Sequence, residues 1–127
     1  MARILVIDDD PDALELMAYL LTAFGHSTST AGDGEAGLLR AREERPDLII
    51  CDVSLPLLDG CGVVLSLKSD SVTRSIPVVA VTALAMVGDR ERLLRAGFDG
   101  YLAKPFNPEG FAVQVETWLR DGSVSAN

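Results

Sequence analysis

The chain has 127 residues, 48% of them hydrophobic, and a formal net charge of −8. This length suits one domain with a real hydrophobic core, and no apolar run approaches the roughly 20 residues that a membrane span needs. Because so acidic a surface repels phosphate backbones, direct nucleic-acid binding is excluded as an expected function.

The elements predicted along the chain alternate between strand and helix, beginning with a strand. Short apolar runs without polar alternation predict strands buried on both faces, whereas the polar, β-branched run 27–30 suits an exposed edge strand. Asp10, Asp33 and Asn107 are the expected caps at helix starts. In chain order, we predict elements at 4–7, 11–24, 27–30, 34–45, 48–51, 61–68, 78–81, 84–96, 101–103 and from 108 onward.

Five strand–helix repeats predict an α/β fold, with a doubly wound parallel sheet and helices on both faces. The polar second strand belongs at an edge, which favours the flavodoxin-like strand order 2-1-3-4-5. The ligand crevice of such a sheet lies at the carboxyl ends of the strands where the order reverses. Here that point falls between the first and third strands.

The ends of the chain and its cysteines predict the domain limits and the cellular compartment. We expect one domain at residues 1–121 and a flexible, small and polar tail at 122–127. The start of the chain lacks the features of a signal peptide, and two cysteines without a ligand cluster indicate free thiols in a reducing compartment. The protein is therefore expected to be cytoplasmic, and His26 is expected at the surface.

Each central strand is followed by a polar residue capable of chemistry. Asp8, Asp9 and Asp10 follow the first strand, and Asp52 follows the third. Each has a structural explanation when taken singly, since Asp10 before a proline is a helix cap and a lone aspartate is often a turn residue. Capping needs one carboxylate, however, and here there are three. Thr82 and Lys104 follow the fourth and fifth strands.

The convergence of Asp8, Asp9 and Asp52 predicts a cation site. Carboxylates this close raise one another's pKa values unless a cation offsets them, and Mg²⁺ suits an open cleft of oxygen ligands. The metal and Lys104 would neutralise the oxygens of a phosphoryl group, and Thr82 would hydrogen-bond to one of them. Asp52 would act as the nucleophile and form an acyl phosphate.

With these residues in place, the chain resembles the receiver domains of bacterial two-component response regulators over about residues 2–120. The resemblance rests on the acidic pair Asp8-Asp9, the segment 52–60 (DVSLPLLDG), Thr82-Ala83, Tyr101, and the segment 104–106 (KPF). It implies a phosphoacceptor protein, with no catalytic activity beyond its own Mg²⁺-dependent phosphorylation and dephosphorylation.

The resemblance also implies a role for each matching residue. Asp52 is the implied phosphorylation site. The implied direct Mg²⁺ ligands are Asp9, Asp52 and the backbone carbonyl of Ser54, while Asp8 acts through a water molecule. The resemblance implies the phosphoryl contacts and the switch residues as well. Lys104, Thr82, Ala83 and Val53 would contact the phosphoryl group, and Thr82 and Tyr101 would form the switch.

The implied partners are a sensor histidine kinase or histidine phosphotransfer protein as donor and a downstream protein as target. The sequence leaves monomer and homodimer open. Three other classes of protein fit the sequence less well. A haloacid-dehalogenase-like phosphatase would use Asp8 as its nucleophile, but the sequence after its Asp-x-Asp pair does not fit. A flavin-binding protein would carry a loop rich in Ser and Thr. An interaction module without phosphorylation would have lost residues that are present here.

Overall fold

The computed structural model describes residues 2–55, 58–83, 88–104 and 107–121, and these contain five strands that alternate with five helices. The strands are β1 (Arg3–Ile7), β2 (Ser27–Ala31), β3 (Leu48–Asp52), β4 (Val78–Thr82) and β5 (Gly100–Ala103). The helices are α1 (Pro11–Ala23), α2 (Gly34–Glu44), α3 (Gly60–Ser69), α4 (Asp89–Ala96) and α5 (Pro108–Asp121). The expected tail at 122–127 lies outside the described residues. No helix among those described is long and apolar enough to cross a membrane.

The five strands form one parallel sheet in the order β2-β1-β3-β4-β5, which confirms the predicted fold class and order. Strands β3 and β4 are buried along their whole length, as their unbroken apolar sequences predict. The polar strand β2 lies at one edge. The apolar run 101–103 was expected to be buried on both faces, but it is only half-buried because β5 forms the other edge.

Successive side chains of the strands point to opposite faces, and each face is covered by helices. On one face, Leu5, Ile7 and Ile49 pack with α2, α3 and α4. On the other face, the strands pack with α1 and α5. Phe111, Val115 and Trp118 recur at helical spacing along α5 and are at most 3% exposed. Burying a large apolar side chain of this kind contributes roughly 1.5–3 kcal/mol.

The predicted caps lie where the sequence places them. The Asp10 carboxylate accepts a hydrogen bond from the backbone N–H of Asp12 at 3.0 Å, and Asp33 accepts one from Ala36 at 2.8 Å. Helix α4 starts later than predicted, at Asp89, and the expected helical residues 84–87 lie outside the described part of the chain.

The prediction that His26 lies at the surface is wrong, because only 8% of the residue is exposed. Its Nδ1 accepts a hydrogen bond from the backbone N–H of Ala2 at 3.2 Å, so the proton of the neutral ring lies on Nε2. Nε2 donates that proton to the Glu116 carboxylate at 3.0 Å. The partner of the ring is therefore a side chain of α5 that lies 90 positions away, and local sequence cannot reveal such a partner.

Candidate functional site

Three carboxylates converge at the carboxyl ends of β1 and β3. The two strands are neighbours with Ile7 opposite Cys51, so the residues that follow them reach the same edge of the sheet. Asp8 and Asp52 are buried, whereas Asp9 is exposed. One carboxylate oxygen from each of the three lies within 4.8 Å of the others. The predicted convergence of Asp8, Asp9 and Asp52 is therefore observed.

Backbone hydrogen bonds fix the two buried carboxylates. Asp8 Oδ1 accepts a hydrogen bond from the backbone N–H of Asp10 at 2.9 Å. Asp52 Oδ1 accepts one from the backbone N–H of Ser54 at 3.1 Å. Each carboxylate has its other oxygen, Oδ2, turned toward the same lysine ammonium. The backbone amide of Ser54 thus binds the Asp52 carboxylate. Coordination of Mg²⁺ by the Ser54 carbonyl remains a prediction.

That lysine is Lys104, which follows β5 and reaches across the end of β4. Its backbone N–H donates to the carbonyl oxygen of Thr82 at 2.8 Å, which holds the start of the loop against β4. Its Nζ lies 2.8 Å from Asp8 Oδ2 and 3.6 Å from Asp52 Oδ2. Sequence reasoning placed Lys104 in the cleft but did not reveal its closer contact with Asp8.

The surroundings shift two pKa values in this cleft. Burial raises the pKa of the Asp52 carboxyl, and the nearby charge of Asp8 raises it further. The hydrogen bond from the Ser54 amide and the charge of the Lys104 ammonium lower this pKa, but the net shift is upward. Burial alone would lower the pKa of Lys104. The hydrogen bond to Asp8 and the charge of Asp52 outweigh burial, so the pKa of Lys104 is raised and its ammonium stays charged at neutral pH.

The other predicted residues surround this cluster at different depths. Thr82 ends β4 and is fully buried, and the exposed Ala83 follows it at the same edge of the sheet. Val53 is buried directly after Asp52. Tyr101 pairs with Ala80 and therefore lies two positions before the strand ends where Asp52 and Thr82 lie. Its side chain is half-buried and packs on the face of the sheet that α4 covers.

The sequence did not reveal why a glycine is needed at position 60, next to the site. Its backbone N–H donates to the Val53 carbonyl at 2.9 Å. A Cβ at this position would come within 2.6 Å of the carbonyl oxygen of Asp52 and the Cα of Val53. Only glycine therefore allows α3 to begin so close to the backbone of Asp52. The glycine directly after Asp59, the cap of α3, was the available signal.

The donor set fits a magnesium ion. All three side chains offer hard carboxylate oxygens, which Mg²⁺ prefers over nitrogen or sulfur. Mg²⁺–oxygen bonds are about 2.1 Å, so the ligand oxygens of one ion lie within about 4.2 Å of one another. The observed separation of up to 4.8 Å needs only small side-chain movements to reach that range. The residues that would hold the ion are those at the ends of β1 and β3.

The family model described as the response regulator receiver domain matches residues 4–116. The polar-differentiation response regulator DivK of Brucella anthropi is 38% identical over 118 residues, which cover 93% of this chain and 96% of that protein. Chemotaxis protein CheY4 of Vibrio cholerae has a TM-score of 0.86 and 29% identity, covering 92% of this chain and 98% of that one.

A further solved structure is the receiver domain of the sensor histidine kinase PA1611 from Pseudomonas aeruginosa PAO1. It has a TM-score of 0.85 and 32% identity, covers 93% of this chain and 97% of that one, and has a magnesium ion coordinated in its active-site cleft. These matches confirm the resemblance drawn from the strand-end residues. The chain belongs to the family of response regulator receiver domains of two-component signalling.

Proposed function

We propose that this receiver domain accepts a phosphoryl group on Asp52 in a Mg²⁺-dependent reaction, and that this changes how the surface of α4, β5 and α5 docks a downstream protein. The observation that carries the proposal is the meeting of Asp8, Asp9 and Asp52 with Lys104 at one edge of the sheet. Two charged carboxylates at this depth need cations beside them, and a phosphoryl group needs the same cations.

In the proposed reaction, a carboxylate oxygen of Asp52 attacks the phosphorus atom of a phosphohistidine donor. The new P–O bond makes an acyl phosphate, the P–N bond of the donor breaks, and the imidazole leaves with the bond's electron pair. Bound Mg²⁺ would offset the charge of the phosphoryl oxygens. Asp9, Asp52 and the Ser54 carbonyl are the proposed direct ligands, with Asp8 acting through water.

The proposed phosphoryl contacts come from the residues that border Asp52. Lys104 already lies 3.6 Å from Asp52 Oδ2, so its ammonium can pair with a phosphoryl oxygen bonded there. Thr82 would hydrogen-bond to another oxygen, and Val53 and Ala83 would border the group. Thr82 and Tyr101 are the proposed switch, which selects between two conformations by their different affinity for the phosphoryl group.

The proposed donor is a sensor histidine kinase or a histidine phosphotransfer protein, and the proposed target is a downstream protein. Signalling of this kind takes place in the cytoplasm, which we propose as the location of this domain. We propose no direct contact with nucleic acid or membrane, and no catalytic activity beyond phosphorylation and dephosphorylation of the domain itself. A homodimer is compatible with the proposal but not required by it.

The test is the intact mass of the protein after incubation with acetyl phosphate and Mg²⁺. We expect the wild type to gain one phosphoryl group, and Asp52→Asn or removal of Mg²⁺ to abolish the gain. Asp8→Asn is the informative comparison, because a phosphatase of the haloacid-dehalogenase type would need Asp8 as its nucleophile. A phosphoryl group that persists in Asp52→Asn and disappears in Asp8→Asn would contradict the proposal.

A further inference from the structure

The segment that joins β2 to α2 contributes no residue to the acidic cluster of Asp8, Asp9 and Asp52, yet it touches both halves of the cleft. On the β1 side, the backbone N–H of Asp8 donates to the Ala31 carbonyl at 3.1 Å. On the β3 side, Gly34, the first residue of α2, lies against the connection between β3 and α3. This segment therefore lies where it can set the distance between the two halves.

Gly34 lies at a position where a larger residue would collide with backbone. It is buried, and an added Cβ would come within 2.5 Å of the Leu58 carbonyl oxygen and 2.9 Å of Val63 Cγ2. Unstrained contacts between non-bonded carbon atoms are about 3.5–4.0 Å. The φ of Gly34 is not positive, and glycine is a poor helix former, so backbone conformation does not explain the residue. The close approach of α2 to Leu58 does.

The backbone of Leu58 is connected to the phosphoryl acceptor by close contacts. Two positions later, Gly60 donates its backbone N–H to the Val53 carbonyl at 2.9 Å. A Cβ on Gly60 would lie 2.6 Å from the Asp52 carbonyl oxygen, so the two backbones already touch. Because a close-packed interior transmits displacements, a shift of the Leu58 carbonyl would move Gly60 and then Asp52 and Ser54.

Gly37, three residues further along α2, makes the corresponding approach to β1. It is buried, and an added Cβ would overlap Ile7 Cδ1 and come within 2.8 Å of Ile7 Cγ1. Ile7 is fully buried and directly precedes Asp8 and Asp9. In a close-packed core it cannot turn aside without displacing its neighbours. A larger residue at position 37 would therefore displace the strand end that carries these two aspartates.

We propose that Gly34 and Gly37 are positioning residues for Mg²⁺ binding: they allow α2 to lie close enough to fix the ligands at the ends of β1 and β3 at the distance that one ion requires. This inference rests on the proposed function, since it concerns the same metal site. Each glycine acts through the residue it contacts, Leu58 or Ile7. Changes to groups that support metal ligands typically weaken metal binding by about 10–100-fold.

The test is the Kd for Mg²⁺, measured by isothermal titration calorimetry at a temperature well below the melting point of each variant. We expect Gly34→Ala and Gly37→Ala each to raise the Kd by about tenfold. Ile7→Val removes the Cδ1 atom that the new Cβ at position 37 would overlap. Added to Gly37→Ala, it should return the Kd toward that of the wild type. A general loss of stability would not be reversed in this way.

Two other glycine-to-alanine variants provide matched controls. Gly32 lies in the same segment, and an added Cβ would have nothing within 4 Å, so Gly32→Ala should change the Kd less than about twofold. Gly100 lies in β5, where an added Cβ would come within 2.8 Å of Trp118 Nε1 in α5. Gly100→Ala should lower the melting temperature but also change the Kd less than about twofold.

The outcomes separate this inference from the proposed function. A wild type that binds no Mg²⁺ would overturn the metal site and the positioning role together. If the wild type binds Mg²⁺, an unchanged Kd in Gly34→Ala or Gly37→Ala would overturn the role of that glycine alone. An equal loss of affinity in Gly100→Ala would overturn both roles, because the effect would then follow from lower stability. If Gly34→Ala does not fold, Gly37→Ala with and without Ile7→Val decides, and a missing recovery overturns the inference.

Discussion

Thr28 in strand β2 has a buried hydroxyl group without a hydrogen-bond partner among the residues that the structure describes. A buried and unpaired hydroxyl costs about 1–3 kcal/mol of desolvation. Valine has nearly the same shape, lacks the hydroxyl and is favoured in strands. We therefore expect Thr28→Val to raise the free energy of unfolding by about 0.5–1.5 kcal/mol, measured by urea denaturation.

Thr30 provides the control for this prediction, because it lies two positions along the same strand and on the same face. Its hydroxyl is not among the buried unpaired groups, so Thr30→Val should change the free energy of unfolding by less than Thr28→Val does. A Thr28→Val variant that is less stable than the wild type would show that the hydroxyl contributes to the fold.

The identity of the cleft residues could be predicted from the sequence, because the ends of parallel strands share one edge of the sheet. The partners of individual side chains could not. The Lys104 Nζ lies less than 1 Å nearer to Asp8 Oδ2 than to Asp52 Oδ2. So small a difference depends on how all the strands pack together. The hydrogen bond between His26 and Glu116 likewise joins residues 90 positions apart.

At the scale of elements, the end of α2 carries local strain. Arg45, the C-cap, has a left-handed conformation with φ of 47° and ψ of 64°, and it is the only non-glycine residue with positive φ among those described. Such a conformation costs a non-glycine residue about 1–2 kcal/mol. Glycine removes that strain, but its greater freedom in the unfolded chain destabilises the folded protein by about 0.4–1 kcal/mol. We expect Arg45→Gly to stabilise the protein by 0 to about 1.6 kcal/mol.

Arg40→Gly is the matched comparison, since Arg40 lies inside the same helix and, within the described part of the chain, forms an exposed ion pair with Glu44. Glycine within a helix costs about 1 kcal/mol relative to alanine, so this variant should be less stable than the wild type. Both free energies of unfolding come from urea denaturation. If the two variants were destabilised equally, the left-handed cap would carry no strain.

Helix starts were predictable where an aspartate or asparagine caps the first turn, as at Asp10, Asp33 and Asn107. The start of α4 was not, because Gly88 precedes it and offers no side-chain cap. The burial of β5 was overestimated for a related reason. An apolar run shows that a strand is partly covered, but the strand order decides whether both of its faces are covered.

At the scale of the whole molecule, charge is distributed unevenly along the chain. No lysine or arginine occurs between residues 4 and 39, whereas this stretch contains seven acidic residues, among them Asp8 and Asp9. The half of the cleft formed by β1 therefore has no cation from its own part of the sequence. Lys104 from β5 supplies it, which explains why the site requires the complete fold. The polarity of β2 indicated an edge strand, and this favoured the strand order that the structure shows.

The acidic cluster should also link the stability of the whole domain to Mg²⁺. An ion that binds the folded site and not the unfolded chain stabilises by about 2.7 kcal/mol at a concentration of 100 times its Kd. We expect Mg²⁺ to raise the melting temperature of the wild type, and Asp9→Ala to remove most of this response. Asp9 is exposed, so its loss removes a carboxylate from the cluster without leaving a cavity in the core.

Without Mg²⁺, Asp9→Ala should melt at or above the temperature of the wild type, because one of three mutually repelling carboxylates is gone. Asp12→Ala serves as the control, since it removes an equal charge from the exposed first turn of α1, outside the cluster. That variant should keep the full response to Mg²⁺, measured by differential scanning calorimetry. An Asp9→Ala variant with an undiminished response would place the ion elsewhere, and a loss of response in both variants would attribute the effect to surface charge.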